Sequence, residues 1–240
     1  MKRGSGYNIV RFSVCERMFH NIVMVTYFLL LMTGMVIIGY NFQGERNSLR
    51  EIFVLAHKTT GVIFLGGAIL IVLCGKRAVW MENVRLLFVF TLRDIEWLVK
   101  KPVSILFRGV KPPPADKFNS GQKVWSAIAF FGSVTLAVSG IYLWMNRLSI
   151  LALLIHTFIA LGMILPLMGH MYMAIINRET RAGIGSIVNG KVDLRWAEDH
   201  YPVWVERKRR ELLKRKSRKK TGLKKRGKKT FGLYDIQEKR

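Results

Sequence analysis

The chain has 240 residues, of which 50% are hydrophobic, and it carries a formal net charge of +24. Such a charge is typical of proteins that bind nucleic acid or an anionic membrane surface. The basic and the hydrophobic residues occupy separate segments, however, and apolar runs this long and this poor in charge argue against a soluble helical bundle.

Four apolar runs predict four membrane-spanning helices, at residues 20–40, 52–74, 124–145 and 148–176. Each run is close to the roughly 20 residues that cross a bilayer core. The first is not expected to be a cleavable signal peptide, because it is long, lacks a small-residue cleavage site and precedes further spans. The sequence therefore predicts an all-α membrane protein built on a four-helix transmembrane bundle.

Basic residues predict how this bundle is oriented. Residues 1–17 contain four Lys and Arg, residues 75–123 contain ten, and the segment after Asn177 contains twenty-one. The connection between spans one and two, counted with Lys58, contains three, and the connection between spans three and four contains one. By the positive-inside rule, both termini and the 75–123 segment are cytoplasmic.

Two cytoplasmic segments lie outside the spans. Residues 84–101, VRLLFVFTLRDIEWLVKK, predict a helix along the membrane face, because their charges disfavour a fifth span. Residues 206–240 form a basic tail that we expect to be disordered, which leaves a transmembrane domain over residues 1–205. Anionic lipid, at about 1 kcal/mol per basic residue, is the alternative partner of the tail. No aromatic stacking platform accompanies this charge, so no specific nucleic acid is expected.

Four of the five histidines lie inside the predicted spans: His20, His57, His156 and His170. Titratable side chains within a membrane are costly and indicate function. The predicted topology places His20 and His170 near the cytoplasmic face, and His57 and His156 near the outer face. A fourteen-residue spacing separates the two histidines of span four by about 21 Å and keeps them within about 40° of one helix face. Span four thus offers one imidazole to each leaflet.

This pattern predicts two haems, each held by two histidines from facing helices. Zinc is a weaker interpretation, because it requires compact tetrahedral ligation. A proton relay is also weaker, because the predicted spans contain no Asp or Glu. A haem-free anchor or a histidine-lined transporter is the alternative from a different class of protein.

Small residues and one proline support the interpretation. Gly34 lies fourteen residues after His20, and Gly140 lies in span three. Glycines at such positions allow helices to pass a haem closely. Pro166 removes the hydrogen bond to the Gly162 carbonyl and predicts a kink in span four near the inner haem.

Six short motifs carry a family resemblance: RFSVCERMFH (11–20), MTG (32–34), HKTTG (57–61), NSGQK (119–123), GHMYMA (169–174) and GKVDLRWAEDHYPVW (190–204). Together they resemble the cytochrome b, or gamma, subunit of membrane-bound formate dehydrogenases over about residues 8–205. The resemblance implies that the span histidines ligate two haems b. Because b-type cytochromes of Ni–Fe hydrogenases share these histidines, a subunit of a hydrogenase or of another quinone-linked oxidoreductase is the alternative.

The resemblance also implies partners and a location. An iron–sulfur (beta) subunit would pass electrons to the outer haem, after formate is oxidised on a molybdenum- or tungsten-containing subunit. The inner haem would deliver the electrons to a quinone, menaquinone or ubiquinone, in the inner membrane of a prokaryote. Association of such complexes into a higher oligomer is left open.

The quinone is assigned to residues just before span three. Asn119 and Gln122 can donate or accept hydrogen bonds at the inner-haem level, and Gly121 would give access to the backbone. The alternative is a helix N-cap at Asn119 or Ser120. The residues alone leave these two interpretations even, and the resemblance favours the quinone.

Two basic residues are candidates for the haem propionates. Arg17 lies one turn before His20, and Lys58 directly follows His57. The alternative for both is an interfacial anchor, which is the commoner use of basic residues at the ends of spans.

Overall fold

The computed structural model describes residues 7–107, 109–146, 148–214 and 217. In chain order, its strands and α-helices are β1 (Asn8–Val10), α1 (Val14–Phe42), α2 (Ser48–Cys74), α3 (Arg77–Phe88), α4 (Leu92–Leu106), α5 (Ser120–Met145), α6 (Ile150–Gly162), α7 (Ile164–Met171), α8 (Gly185–Val188), β2 (Lys191–Asp193), α9 (Leu194–His200) and α10 (202–214). A π-helical segment, Tyr172–Ile176, follows α7, and a 3-10 helix, Arg181–Ile184, precedes α8.

Four helical stretches are long and apolar enough to cross a membrane: α1, α2, α5 and the segment Ile150–Ile176. They confirm the four predicted spans. The first three begin before the predicted apolar runs, because each starts at a polar N-cap: Ser13, Asn47 or Asn119. In each case the cap side chain accepts a hydrogen bond from a backbone N–H of the first helical turn.

The outer surface of these helices is apolar. Leu70, Phe131 and Phe158 are each more than 60% exposed, and α2 contains no buried residue. A surface of this kind is unusual for a soluble monomer, whereas the hydrocarbon of a bilayer covers it without cost to the backbone of a helix. The chain is therefore an integral membrane protein.

The spans form two hairpins, in which α1 packs along α2 and α5 packs along α6. Short connections make each pair antiparallel. Within the described ranges, no helix of the first hairpin packs closely along α5 or α6. The two hairpins therefore leave space between their backbones.

Span four is interrupted, as Pro166 predicts. α6 ends at Gly162, Met163 forms the junction, and α7 begins at Ile164. Proline has no N–H to donate to the Gly162 carbonyl, and its ring crowds that same turn. The interruption lies between His156 and His170, so it changes how the second histidine is presented relative to the first.

The prediction of a single helix over residues 84–101 is wrong, because the structure contains two helices there. α3 ends at Phe88, Val89 has an extended backbone, and α4 begins at Leu92. The Asp94 carboxylate accepts hydrogen bonds from the backbone N–H and the hydroxyl of Thr91, both at 2.8 Å. This local cap starts a new helix. The amphipathic pattern of the sequence continues across the break between the two helices, so the pattern alone does not reveal that break.

A layer outside the spans closes one end of the bundle. β1 pairs antiparallel with β2, with Ile9 opposite Val192. This two-stranded sheet is absent from the all-α prediction, because three-residue strands are too short to show an alternating pattern. The layer has a hydrophobic cluster composed of Val192, Ala197, Tyr201, Trp204 and Val205.

A buried polar cluster joins this layer to the first span. The Glu16 carboxylate accepts hydrogen bonds from Asn83 at 2.6 Å and from Lys117 at 2.7 Å. Arg11 donates to the Lys117 carbonyl at 2.8 Å. Burial lowers the pKa of Lys117, and the bond to Glu16 opposes that shift. The described parts of residues 1–17 and 75–123, which the charge count assigned to one membrane face, therefore meet at one end of the molecule.

The predicted tail boundary at residue 206 lies inside a helix. Residues 202–214 are helical, because Trp204 is buried and Arg207 forms ion pairs with Glu82 and Asp116. These pairs bring the segment after Asn177 to the same end. Apart from residue 217, the tail beyond residue 214 lies outside the described residues.

Asp94 connects α4 to the start of α5. Its carboxylate pairs with Lys123 at 2.9 Å and accepts a hydrogen bond from Ser120 at 2.8 Å. Burial by itself would raise the pKa of Asp94, but the bonds from Lys123, Thr91 and Ser120 outweigh burial and hold the pKa at about 2. A carboxyl whose pKa is depressed in the folded state contributes stability above its unfolded pKa and loses it as pH falls.

We expect the difference in unfolding free energy between the wild type and Asp94→Asn to shrink by about 2 kcal/mol as the pH falls from about 4 to about 2. Unfolding in detergent, followed by circular dichroism, measures this difference. Glu96→Gln, which removes an exposed pair with Lys100, is the control and should show little change. If the difference in unfolding free energy between the wild type and Asp94→Asn stays constant with pH, the depressed pKa of Asp94 is contradicted.

Candidate haem sites

The inner pair consists of two histidines that face each other from opposite sides of the space between the hairpins. His20 lies on α1 and His170 lies on α7, and their ring centroids are 6.5 Å apart. The buried Nδ1 atom of His20 has no hydrogen-bond partner among the residues that the structure describes. The His170 ring is stacked on Trp125 of α5, with centroids 4.9 Å apart and planes inclined by 12°.

The outer pair repeats this arrangement at the other end of the spans. His57 lies on α2 and His156 on α6, and their ring centroids are 6.2 Å apart. Each pair thus takes one histidine from the first hairpin and one from the segment Ile150–Ile176.

The spacing of both pairs fits one metal ion between two imidazoles. Metal–nitrogen bonds of about 2 Å, with each ring centre about 1 Å further away, separate two centroids by about 6 Å. No cluster of three or more His, Cys, Asp or Glu side chains suited to a metal occurs in the described ranges. Two-ligand sites suit an iron whose remaining ligands come from a porphyrin, and they do not suit tetrahedral zinc.

Hydroxyl groups contact the outer pair from the neighbouring helices. The Thr33 hydroxyl on α1 lies 2.9 Å from His57 Nδ1, and the Ser139 hydroxyl on α5 lies 2.9 Å from His156 Nδ1. Each hydroxyl residue directly precedes a glycine, Gly34 or Gly140. A Cβ atom at Gly34 would lie 3.4 Å from His57 Cε1, and one at Gly140 would lie 3.2 Å from His156 Cε1.

Thr33, Ser139 and Trp125 are not among the site residues predicted from the sequence. The sequence does contain an indication of the two hydroxyl residues. Each is followed by a glycine and lies in a span that packs against the helix of an outer histidine. Trp125 carries no comparable signal, because only the tertiary structure stacks its ring on His170.

The residues predicted to bind quinone form a helix cap. Asn119 Oδ1 accepts from the Gln122 N–H at 2.9 Å, and Gln122 Oε1 accepts from the Asn119 N–H at 3.1 Å. The N-cap alternative is therefore observed at Asn119. In the described part of the chain, the side-chain nitrogens of both residues form no hydrogen bond. Gly121 lies against the Trp97 ring, which an added Cβ would approach to 3.5 Å.

The cap lies close to the inner pair. Gln122 is three residues before Trp125 on α5, so the two side chains share a helix face. The Tyr201 hydroxyl donates to Gln122 Oε1 at 3.3 Å. The cap is thus tied both to the layer outside the spans and to the helix that supports His170.

The two candidates for haem propionates have other contacts. Arg17 donates to the Val188 carbonyl at 2.7 Å, although its buried Nε has no partner among the described residues. The Lys58 ammonium lies 5.2 Å from the centre of the Trp144 ring. These contacts suit positions at the ends of spans.

Comparisons with known proteins place the chain among cytochromes b. A family model described as prokaryotic cytochrome b561 matches residues 11–190. The formate dehydrogenase cytochrome b556 subunit of Haemophilus influenzae is 28% identical over 82% of this chain and 82% of its own length. The formate dehydrogenase cytochrome b556(fdo) subunit of Escherichia coli is 26% identical over 86% of this chain and 96% of its own length. The nitrate-inducible cytochrome b556(Fdn) subunit of Escherichia coli is 30% identical over 54% of this chain and 60% of its own length.

Proposed function

Since the chain belongs to the prokaryotic cytochrome b561 family, we propose that it is the electron-transfer subunit of a membrane-bound formate dehydrogenase. At a coarser level, the family and the relatives identify it as a membrane cytochrome b that uses haem b in electron transport. The proposal adds a direction: electrons enter from an iron–sulfur subunit, pass two b-type haems and leave on a quinone.

The observation that carries the proposal is the presence of two histidine pairs at two levels, with centroids 6.5 Å and 6.2 Å apart. His20 and His170 would hold the inner haem, and His57 and His156 would hold the outer one. Haem iron supplies one-electron redox chemistry when it is bound. The two haems would lie at two levels in the membrane because span four carries one histidine ligand for each haem.

The space between the hairpins supports the same assignment. α1 packs along α2 and α5 along α6, but the backbones of the hairpins stay apart where the histidines face each other. Apolar helix surfaces there would exclude water and lower the local dielectric, which is one of the means by which a protein tunes a haem. The chain therefore binds and orients the cofactor and insulates the electron path.

The quinone site of this proposal lies at Asn119, Gly121 and Gln122, next to the inner pair. Capping occupies the side-chain oxygens of Asn119 and Gln122, which leaves their amide groups as donors to a quinone oxygen. Trp125 lies between this cap and His170. The site therefore offers hydrogen-bond donors beside the inner haem.

Partners and orientation follow from the same proposal. The relatives are named as subunits of formate dehydrogenases, so we infer an iron–sulfur partner and, through it, a molybdenum- or tungsten-containing subunit. The described parts of the segments richest in Lys and Arg lie in the layer outside the spans, which supports a cytoplasmic position for both termini in a prokaryotic inner membrane. Residues 1–205 would then form the di-haem domain, with residues 206–214 extending it as a helix.

The complex purified through a tag on this chain should reduce quinone with formate as the electron donor and not with hydrogen. A spectrophotometric quinone assay with each donor measures this. Activity with hydrogen alone would assign the chain to a hydrogenase instead, and the absence of b-type absorbance on dithionite reduction would refute the haem assignment altogether.

Replacing His156 with Ala should remove the outer haem and leave the inner one, because each pair is held independently. The haem content per chain, measured by pyridine haemochrome, should fall by half. His200→Ala is the control, since His200 lies outside the spans and stacks on Trp196. Retention of both haems in His156→Ala would contradict the pairing.

Asn119→Ser should separate the cap from the quinone contact. Serine caps a helix about as well as asparagine but lacks the amide donor, so the KM for quinone should rise about tenfold, as for the loss of one hydrogen bond. The control is Asn47→Ser, at the N-cap of α2. An unchanged KM in Asn119→Ser would assign Asn119 to the cap alone.

A further inference from the structure

We propose that Thr33 and Ser139 are positioning residues for the outer haem, which they serve by holding its two histidine ligands in one tautomer. This inference rests on the proposed function, since it assigns His57 and His156 as ligands of one iron. Each hydroxyl would fix the Nδ1–H of its imidazole and leave the Nε2 lone pair for the metal.

The hydrogen bonds of Thr33 favour one tautomer of His57. The Thr33 hydroxyl has one hydrogen, and the Leu29 carbonyl, at 2.7 Å, is a closer acceptor than the Leu30 carbonyl at 3.2 Å or His57 Nδ1 at 2.9 Å. With that hydrogen on the Leu29 carbonyl, the hydroxyl oxygen accepts from His57 Nδ1. In this arrangement His57 carries its proton on Nδ1, and Nε2 is unprotonated.

Ser139 repeats this arrangement on another helix. Its hydroxyl donates to the Thr135 carbonyl at 2.7 Å and lies 2.9 Å from His156 Nδ1. The same reasoning gives His156 an Nδ1 proton and a free Nε2. Two different spans, α1 and α5, thus present the same group to the two histidines of one pair.

The adjacent glycines complete each position. A Cβ at Gly140 would lie 3.2 Å from His156 Cε1, which is tighter than an ordinary contact, so a side chain there would press on the ring. A glycine directly after the hydroxyl residue therefore lets the imidazole ring, which donates, approach the hydroxyl oxygen, which accepts. At Gly34 an added Cβ would lie 3.4 Å from His57 Cε1, which is an ordinary van der Waals contact, so the approach is tighter at Gly140.

Among the described residues, no hydroxyl group contacts the inner histidines in this way. The buried His20 Nδ1 has no partner within the described ranges, and His170 stacks on Trp125. Hydrogen bonding at Nδ1 makes an imidazole a stronger electron donor to its metal. Donation of this kind favours oxidised iron, so Thr33 and Ser139 should lower the reduction potential of the outer haem and leave that of the inner haem unaffected.

The test is a potentiometric titration of the haems in the purified complex, carried out on Thr33→Val and Ser139→Ala. At a fixed ambient potential, the ratio of reduced to oxidised outer haem should rise about tenfold in each variant, which is about 59 mV for a one-electron couple. The low-spin electron paramagnetic resonance signal of that haem should shift as well. His156→Ala, which lacks the outer haem under the proposed function, identifies the component that belongs to it.

Thr135→Val is the matched control. Thr135 also donates to the carbonyl four residues earlier, that of Phe131, but within the described part of the chain it forms no hydrogen bond with a histidine. We expect both midpoints to stay unchanged in this variant. Thr33→Ser keeps the hydroxyl and should retain the wild-type midpoint.

An outer-haem midpoint that is unchanged in both Thr33→Val and Ser139→Ala would overturn the inference while leaving the two-haem assignment intact. If Thr33→Val loses the outer haem, Thr33→Ser must retain it, and loss in both variants would overturn the inference. Absence of low-spin b-type absorbance in the wild type would instead refute the proposed function.

Discussion

The architecture depends on imidazole rings that face each other across a gap between two helical hairpins. Each hairpin packs internally, whereas the backbones of the two remain apart. Histidine is costly inside a membrane unless it is bonded to a partner. Here two rings meet at each level, at 6.5 Å in the inner pair and 6.2 Å in the outer pair. A cofactor held by both members of a pair would connect the hairpins, so cofactor binding and helix packing support each other in the proposed function.

The two ends of the bundle differ in what surrounds these rings. The inner end has a polar layer with the buried Glu16–Lys117 pair, whose charges would be costly without each other. The outer end has no comparable layer in the described ranges, and its histidines instead have hydroxyl partners on neighbouring spans. In the proposed function, the inner end would therefore suit proton exchange with water, and the hydroxyl groups of the outer end would orient its two histidines.

Local hydrogen bonds decide several boundaries that hydrophobicity does not. The Thr91–Asp94 cap divides residues 84–101 into two helices. The Asn119–Gln122 cap starts α5 before the apolar run begins. Arg207 draws the start of the basic tail into a helix through its two carboxylate partners. Some of these bonds join residues that are close in the sequence, and others join distant residues. At each boundary the hydrogen bond or ion pair, and not the hydrophobicity of the surrounding residues, decides where the helix begins or ends.

The sequence by itself determined the four spans, the position of each histidine along them and the interruption at Pro166. These properties follow from the length of apolar runs, the rise of a helix and the chemistry of proline, which are all local. Only the tertiary structure decided that Thr33 and Ser139 reach the outer histidines, that Trp125 stacks on His170 and that β1 pairs with β2. Those contacts join residues distant in the chain, and they depend on the rotation and spacing of whole helices, which no short stretch of sequence specifies.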